Sequence, residues 1–249
     1  MHDGLVVFLA AFLAGGMNAI AGGGTLVSFP ALLWIGRPPI LANATNTVAL
    51  LPGSIAGAFG FRRELSRARR WLLVLFWPSL IGGFLGSWVL LHTPERIFRG
   101  IIPYLLLFAT VLLMVGPRLQ RVRPRPVGPF SVWRWAALAF FQLLVGFYGG
   151  YFGAGIGILM LAALELMGLE DIHQMNALKN ILAFTINGIA ALYFIRSRAV
   201  LWGDALWMAL GALAGGYTAS TLAQRVDRVW VRRAVVAIGF LVAFRSFFH

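Results

Sequence analysis

The chain has 249 residues, 60% of them hydrophobic, and a mean hydropathy of +0.83. One water-soluble core of this size cannot enclose so much apolar surface, so composition places the chain in the membrane class. The formal charge is +13, but the arginines cluster between the apolar stretches: Arg62, Arg63, Arg67, Arg69 and Arg70, then Arg118, Arg121, Arg123 and Arg125. That is the positive-inside pattern, and it needs no nucleic-acid partner.

A spanning helix takes about 20 mostly apolar residues. Read on that scale, the chain gives eight segments, at 5–35, 42–61, 71–91, 97–116, 133–167, 175–195, 200–222 and 229–247. The N-terminus lacks a basic n-region and the apolar stretch after it outruns an h-region, so a retained membrane segment is expected. The longest connection, 117–132, carries Pro117, Pro124, Pro126 and Pro129 among arginines and reads as a solvated linker. The expected fold is therefore an all-α polytopic membrane protein with halves at 1–116 and 133–249, joined by a cytoplasmic linker at 117–132.

Two segments are too long for one crossing. Residues 5–35 as a single helix would run about 46 Å, and 133–167 would run further. Each contains a glycine cluster: Gly22-Gly23-Gly24-Thr25 in the first, and Gly149-Gly150 with Gly153, Gly155 and Gly157 in the second. Both are expected to be broken, with half-helices starting near Thr25 and Ile156. Irregular backbone at membrane depth is tolerated only inside protein or along a watery cavity. Paired interruptions at matching positions point to a transporter-type binding site. The freed N–H groups and dipole of each half-helix suit an anion.

The breaks also belong to an internal repeat. Gly15 matches Gly146, Gly22 matches Gly153, Gly24 matches Gly155 and Ala31 matches Ala162. After two inserted positions, Asn43-Ala44 matches Asn176-Ala177. Gly82 and Gly86 match Gly211 and Gly215, and Arg99 matches Arg232. If the broken segments cross the membrane, the halves are parallel. If they are re-entrant hairpins, the halves are inverted. Leaving Lys179 aside, the crossing arrangement puts 13 Lys/Arg inside and 7 outside, and the hairpin arrangement 14 and 6. The charge rule puts loop 62–70 and the linker on the cytoplasmic side in both and does not choose between them.

Polar residues open the segment after each break: Asn43-Ala44-Thr45-Asn46-Thr47 and Asn176-Ala177-Leu178-Lys179-Asn180. Asn43 and Asn176 suit helix caps; Asn46 and Asn180 lie too far in for that. Lys179 precedes an apolar run, and an ionisable group inside a membrane is a functional hypothesis by default, with snorkelling as the plain alternative. The candidate substrate-binding set is Gly22, Gly23, Gly24, Thr25, Thr45, Asn46, Gly153, Gly155, Asn176, Lys179 and Asn180. Glu165 is a coupling candidate or a partner for Lys179. Asn18, Gln142 and Asn187 rank lower as buried polar residues. Gly53 with Gly57, Gly82 with Gly86, and Gly211 with Gly215 have the small-xxx-small spacing of helix packing. Trp71, Trp133, Trp135 and Trp202 flank segment ends as interface belts do.

Enzyme signatures are poor. The chain has no cysteine, which removes thiolate metal sites and Cys nucleophiles. Its four histidines have no metal-ligand spacing. Neither a cofactor nor a metal is expected.

Asn18-Ala-Ile-Ala-Gly-Gly-Gly-Thr-Leu, Phe29-Pro30-Ala31-Leu32 and Ala42-Asn43-Ala44-Thr45-Asn46-Thr47 resemble the first half of the TauE/SafE family of membrane transporters. Gly149-Gly-Tyr-Phe-Gly-Ala-Gly-Ile-Gly and Asn176-Ala-Leu-Lys-Asn180 resemble its second half. The resemblance covers all but the linker. It implies a multi-pass permease of the bacterial cytoplasmic membrane for sulfite, sulfonates or related anions. A homodimer is a further possible assembly. Other classes that fit the residues are an anion channel and a membrane scaffold without solute flux.

Overall fold

The computed structural model describes residues 2–20, 22–60, 68–119, 132–166, 169, 171–222 and 228–247. Among them it shows ten helices and no strand. They are α1 (His2–Ile20), α2 (Thr25–Trp34), α3 (Pro39–Gly60), α4 (Arg69–His92), α5 (Glu95–Leu119), α6 (Val132–Tyr151), α7 (Ile156–Leu166), α8 (Ile172–Arg196), α9 (Trp202–Leu222) and α10 (Arg228–Phe247). Five of these, α1, α4, α5, α6 and α8, are long and apolar enough to cross a membrane, and α2 and α7 are shorter apolar helices. Most of loop 62–70 and of the linker lies outside the described residues; α5 continues to Leu119 and α6 begins at Val132.

The helices start earlier than hydropathy places them because polar and imino residues begin them. Pro39 opens α3, the position where its missing N–H is harmless, and Ala42 N donates to Pro38 O at 2.8 Å. Asp171 caps α8, its Oδ1 accepting from His173 N at 2.9 Å and Gln174 N at 3.3 Å. Asn43 and Asn176 therefore lie inside α3 and α8, so the alternative reading of them as caps is excluded.

The chain reverses at both glycine runs. Gly24 packs against the Ala14 carbonyl, ten residues back, and Arg37 beyond the end of α2 reaches Asp3 at the start of α1, Nη2 to Oδ2 3.3 Å. With α1 about 28 Å long and α2 about 15 Å, α2 must run back alongside α1. At the second run, a Cβ on Gly149 would stand 3.2 Å from Ile156 Cγ2, so α7 likewise turns back along α6.

Two helix pairs carry the closest packing. In α1 and α9, Gly211 sits on the Phe8 carbonyl, Gly215 on the Phe12 carbonyl and Gly15 on the Ala212 carbonyl. In α4 and α6, Gly82 sits on the Leu143 carbonyl, Gly86 on the Phe147 carbonyl and Gly150 on the Gly83 carbonyl. Gly4 against Trp207, Phe8 against Gly211 and Phe12 against Gly215 rise together, as do Gly82 against Leu143 and Gly86 against Phe147, so both pairs are parallel. Backbone approach of this kind substitutes dispersion contact for a hydrophobic drive that lipid does not provide. Gly53 is different: among the described residues nothing lies within 4 Å of its Cβ position, so no packing contact there supports its expected role.

At the first turns of α4 and α6, Trp71 and Trp135 meet at 5.0 Å and Arg70 lies 5.1 Å over the Trp135 ring. Trp77, Phe84, Trp88, Leu144, Leu206 and Phe244 are exposed, an apolar exterior suited to acyl chains. A buried Phe29, Phe98, Leu106, Phe152 and Phe194 belong to the central core.

These contacts make Gly215 intolerant of any side chain. Gly215→Val is expected to lower the detergent-solubilised melting temperature through overpacking of about 1–3 kcal/mol, while Gly53→Ala is expected to leave it unchanged or raise it.

Candidate functional site

Each break is built by two glycines in the left-handed region, Gly22 (φ +81) with Gly23 (φ +86), and Gly153 (φ +82) with Gly155 (φ +82). Residues with a Cβ rarely adopt that conformation. At the first break, Gly22 N donates to Met17 O at 2.8 Å, closing α1. Asn18 Oδ1 accepts from Gly24 N at 2.8 Å and so bridges the gap. Gly24, at the N-terminal boundary of α2, has no side chain of its own to cap that helix. One turn into α2, the Ser28 hydroxyl donates to Asn46 Oδ1 of α3, and both residues are buried. Thr25 is half-buried at the opening of α2.

At the second break, Gly153 N donates to Tyr148 O at 3.1 Å, and the Tyr148 hydroxyl donates to Ala154 O at 2.8 Å. Helix α7 starts at Ile156, next to Gly155. Lys179 lies across its first turn: a Cβ on Gly157 would stand 3.2 Å from Lys179 Cδ. Lys179 Nζ donates to Asn176 Oδ1 at 3.2 Å. Lys179, Asn176 and Asn180 are half-buried. Of the readings open for Glu165, a pair with Lys179 is not formed, because Glu165 lies at the other end of α7; its Oε2 is buried without a hydrogen-bond partner among the described residues.

Asn43 crosses from α3 to the second break, its Nδ2 donating to Tyr151 O at 3.0 Å. The carbonyl acceptor fixes which end of the amide is nitrogen. Asn43 Oδ1 is buried and has no partner among the described residues. Phe29 of α2 meets Phe152 edge-on at 5.4 Å, so buried rings join the two breaks.

The structure thus gathers most candidates into two neighbouring clusters: Gly22, Gly23, Gly24, Thr25 and Asn46 at one, and Gly153, Gly155, Asn176, Lys179 and Asn180 at the other. Thr45 is engaged elsewhere, its Oγ1 accepting from Leu201 N at 3.0 Å before α9. Gln142 donates from Nε2 to Ser79 Oγ at 2.8 Å between α6 and α4. Two features escaped the sequence reading. Ser28 is one, though its position in the first turn after the glycines was a signal. The other is Arg37 with Asp204, whose separation by 167 residues gives none.

A helical bundle with an apolar exterior, two glycine-broken helices and polar side chains gathered at the breaks defines a multi-pass membrane protein with an interior polar site. The particular family follows from comparison. Residues 7–246 match the family described as Sulfite exporter TauE/SafE, and the chain belongs to it. Similar proteins include a "Probable membrane transporter protein" of Haemophilus influenzae, 28% identical over 95% of this chain and 91% of that one. "Probable membrane transporter protein ORF9" of Sinorhizobium sp is 30% identical over 96% and 90%. "Probable membrane transporter protein YfcA" of Escherichia coli K12 is 28% identical over 96% and 87%.

The Asp171 cap gives a pH-dependent prediction. Hydrogen bonds from the Gln174 backbone, above all, hold its carboxyl below the usual carboxylate range. A depressed folded pKa contributes stability above the unfolded value, near 3.9, and that contribution is lost as pH falls through the folded one. Asp171→Asn keeps a capping oxygen and should flatten the fall in melting temperature below about pH 4, read by thermal unfolding across pH 3–6.

Proposed function

We propose that this protein is a secondary transporter in a bacterial cytoplasmic membrane that moves small sulfur-containing anions, such as sulfite or sulfonates, by alternating access. The observation that carries the reading is Lys179, whose side chain lies across the first turn of the half-helix α7. Helix N-terminus and ammonium both favour an oxyanion. The relatives' names and the sulfite-exporter family support it.

Two inverted halves, α1–α5 and α6–α10, account for the chain path. Asp3, Arg37 and Asp204 share one end of the bundle. Tyr151 approaches Thr93 at the α4–α5 turn, hydroxyl to hydroxyl 3.5 Å, and Phe84 meets Tyr193 as α4 runs with α8. The first hairpin then enters from the Arg37 end and the second from the opposite end. The pair α1/α9 corresponds to α6/α4, as the glycine matches require. Under the hairpin arrangement the charge rule assigns 14 Lys/Arg to the cytoplasmic side and 6 to the side of Arg37. Opposed half-helices at a repeat interface are the usual frame for alternating access.

In proteoliposomes, Lys179→Met should retain fold and melting behaviour and lose sulfite or sulfonate flux by at least about tenfold, since removing one charge-assisted bond costs about 1.5–3 kcal/mol. Flux equal to the parent would remove Lys179 from the site. Counterflow by the parent separates a carrier from a channel, and an absence of flux for every anion would favour a scaffold.

A further inference from the structure

Arg37 lies in the tight α2–α3 connection, after Gly36 at φ +82. Its guanidinium grips Asp204 with two bonds, Nε to Oδ2 at 2.6 Å and Nη2 to Oδ1 at 3.2 Å, and also reaches Asp3. The Asp204 side chain is only 10% exposed. This is a partly desolvated planar fork on a carboxylate, the geometry in which arginine binds best. The three residues come from three places: the start of α1, the α2–α3 connection and the first turn of α9.

Arg37 and Asp204 also line a hollow of about 590 Å³, with Leu41, Val200 and Leu201 among its walls. Arg37, Leu41 and Thr45 follow one another at four-residue spacing into α3. Thr45 then closes on Leu201 N, and its neighbour Asn46 belongs to the first-break cluster. The residues of α3 thus lead from the ion pair towards the first-break cluster.

We propose that Arg37, clamped between Asp204 and Asp3, is the latch that shuts the outer mouth of the transport route, with the hollow as its vestibule. The proposal rests on the alternating-access reading. Backbone contact at Gly15, Gly211 and Gly215 binds α1 to α9, and the ion pair adds a polar clasp from the α2–α3 connection to the first turn of α9. Removing the guanidinium leaves two carboxylates facing each other without a counter-charge, so loss of Arg37 opens the latch more than loss of Asp204.

The chain's lack of cysteine makes a single reporter clean. Val200→Cys, at a position 9% exposed, is labelled in membranes with an impermeant maleimide added on the outer side. Adding Arg37→Gln should speed labelling about tenfold, the scale of a lost charged hydrogen bond. Asp204→Asn should speed it less, and Arg37→Lys, which keeps charge but not the fork, should fall between Arg37→Gln and the parent. Equal rates in all backgrounds overturn the latch. If Arg37→Gln does not fold, Arg37→Lys and Asp204→Asn decide by the same criterion. Sulfite flux is read in parallel: altered labelling without any flux in the parent keeps the latch and sinks the transport reading, and normal flux with unaltered labelling does the reverse.

Discussion

Backbone N–H and C=O groups find no water in hydrocarbon, so each must bond within the protein. The structure relaxes that rule at two places, and the polar chemistry gathers there. At the first, Asn18 supplies a side-chain oxygen to Gly24 N. At the second, the Tyr148 hydroxyl covers Ala154 O and Asn43 covers Tyr151 O. These substitutions stabilise the bends while leaving the starts of α2 and α7 without side-chain caps of the Asp171 kind. The positive end of a helix dipole is then presented inside the bundle, where low polarity strengthens it.

Breaks of this kind hold their shape only if the surrounding frame is stiff. The frame is provided by α1 on α9 and α4 on α6, whose glycines bring backbone against backbone. Each pair joins a helix carrying a break to one distant in sequence, so the hairpins are anchored along their long arm and their short arm is more lightly held. Phe29 against Phe152 fills the space between the short arms.

Much of this was legible in the residues. Helix class, the two interruptions and the half-helix starts at Thr25 and Ile156 follow from segment length and from the inability of most side chains to occupy left-handed backbone. Ends were misplaced where Pro39 and Asp171 begin helices in polar surroundings, because hydropathy responds to lipid exposure and not to capping. That same error made Asn43 and Asn176 look like caps. Direction of the hairpins was invisible, since charge counts are nearly the same for both arrangements. It was decided by Gly24 on Ala14 and by Arg37 on Asp3, contacts between residues with no shared local pattern. The role of Thr45 was hidden for the same reason, its partner being the Leu201 backbone.

The two clusters differ in a way that bears on how a solute leaves. Under the two-half reading, Asn43 corresponds to Asn176, and Asn46 to Lys179. In the second half the lysine ammonium meets the Asn176 carbonyl. In the first half the matching position holds a neutral amide turned towards Ser28, and the side-chain Oδ1 of Asn43 is left buried without a partner among the described residues. The matching stretches 43–47 and 176–180 thus hold one cationic side chain between them. Two ammonium groups in a low-polarity pocket would hold a divalent oxyanion too tightly to release and would repel each other when it left. A single cation supplemented by helix dipoles and neutral amides lowers the cost of desolvating an anion while keeping both filled and empty states accessible. That balance is what a carrier needs and a storage site does not, and it makes the divergence of the matching positions, more than their similarity, the physical basis of the transport reading.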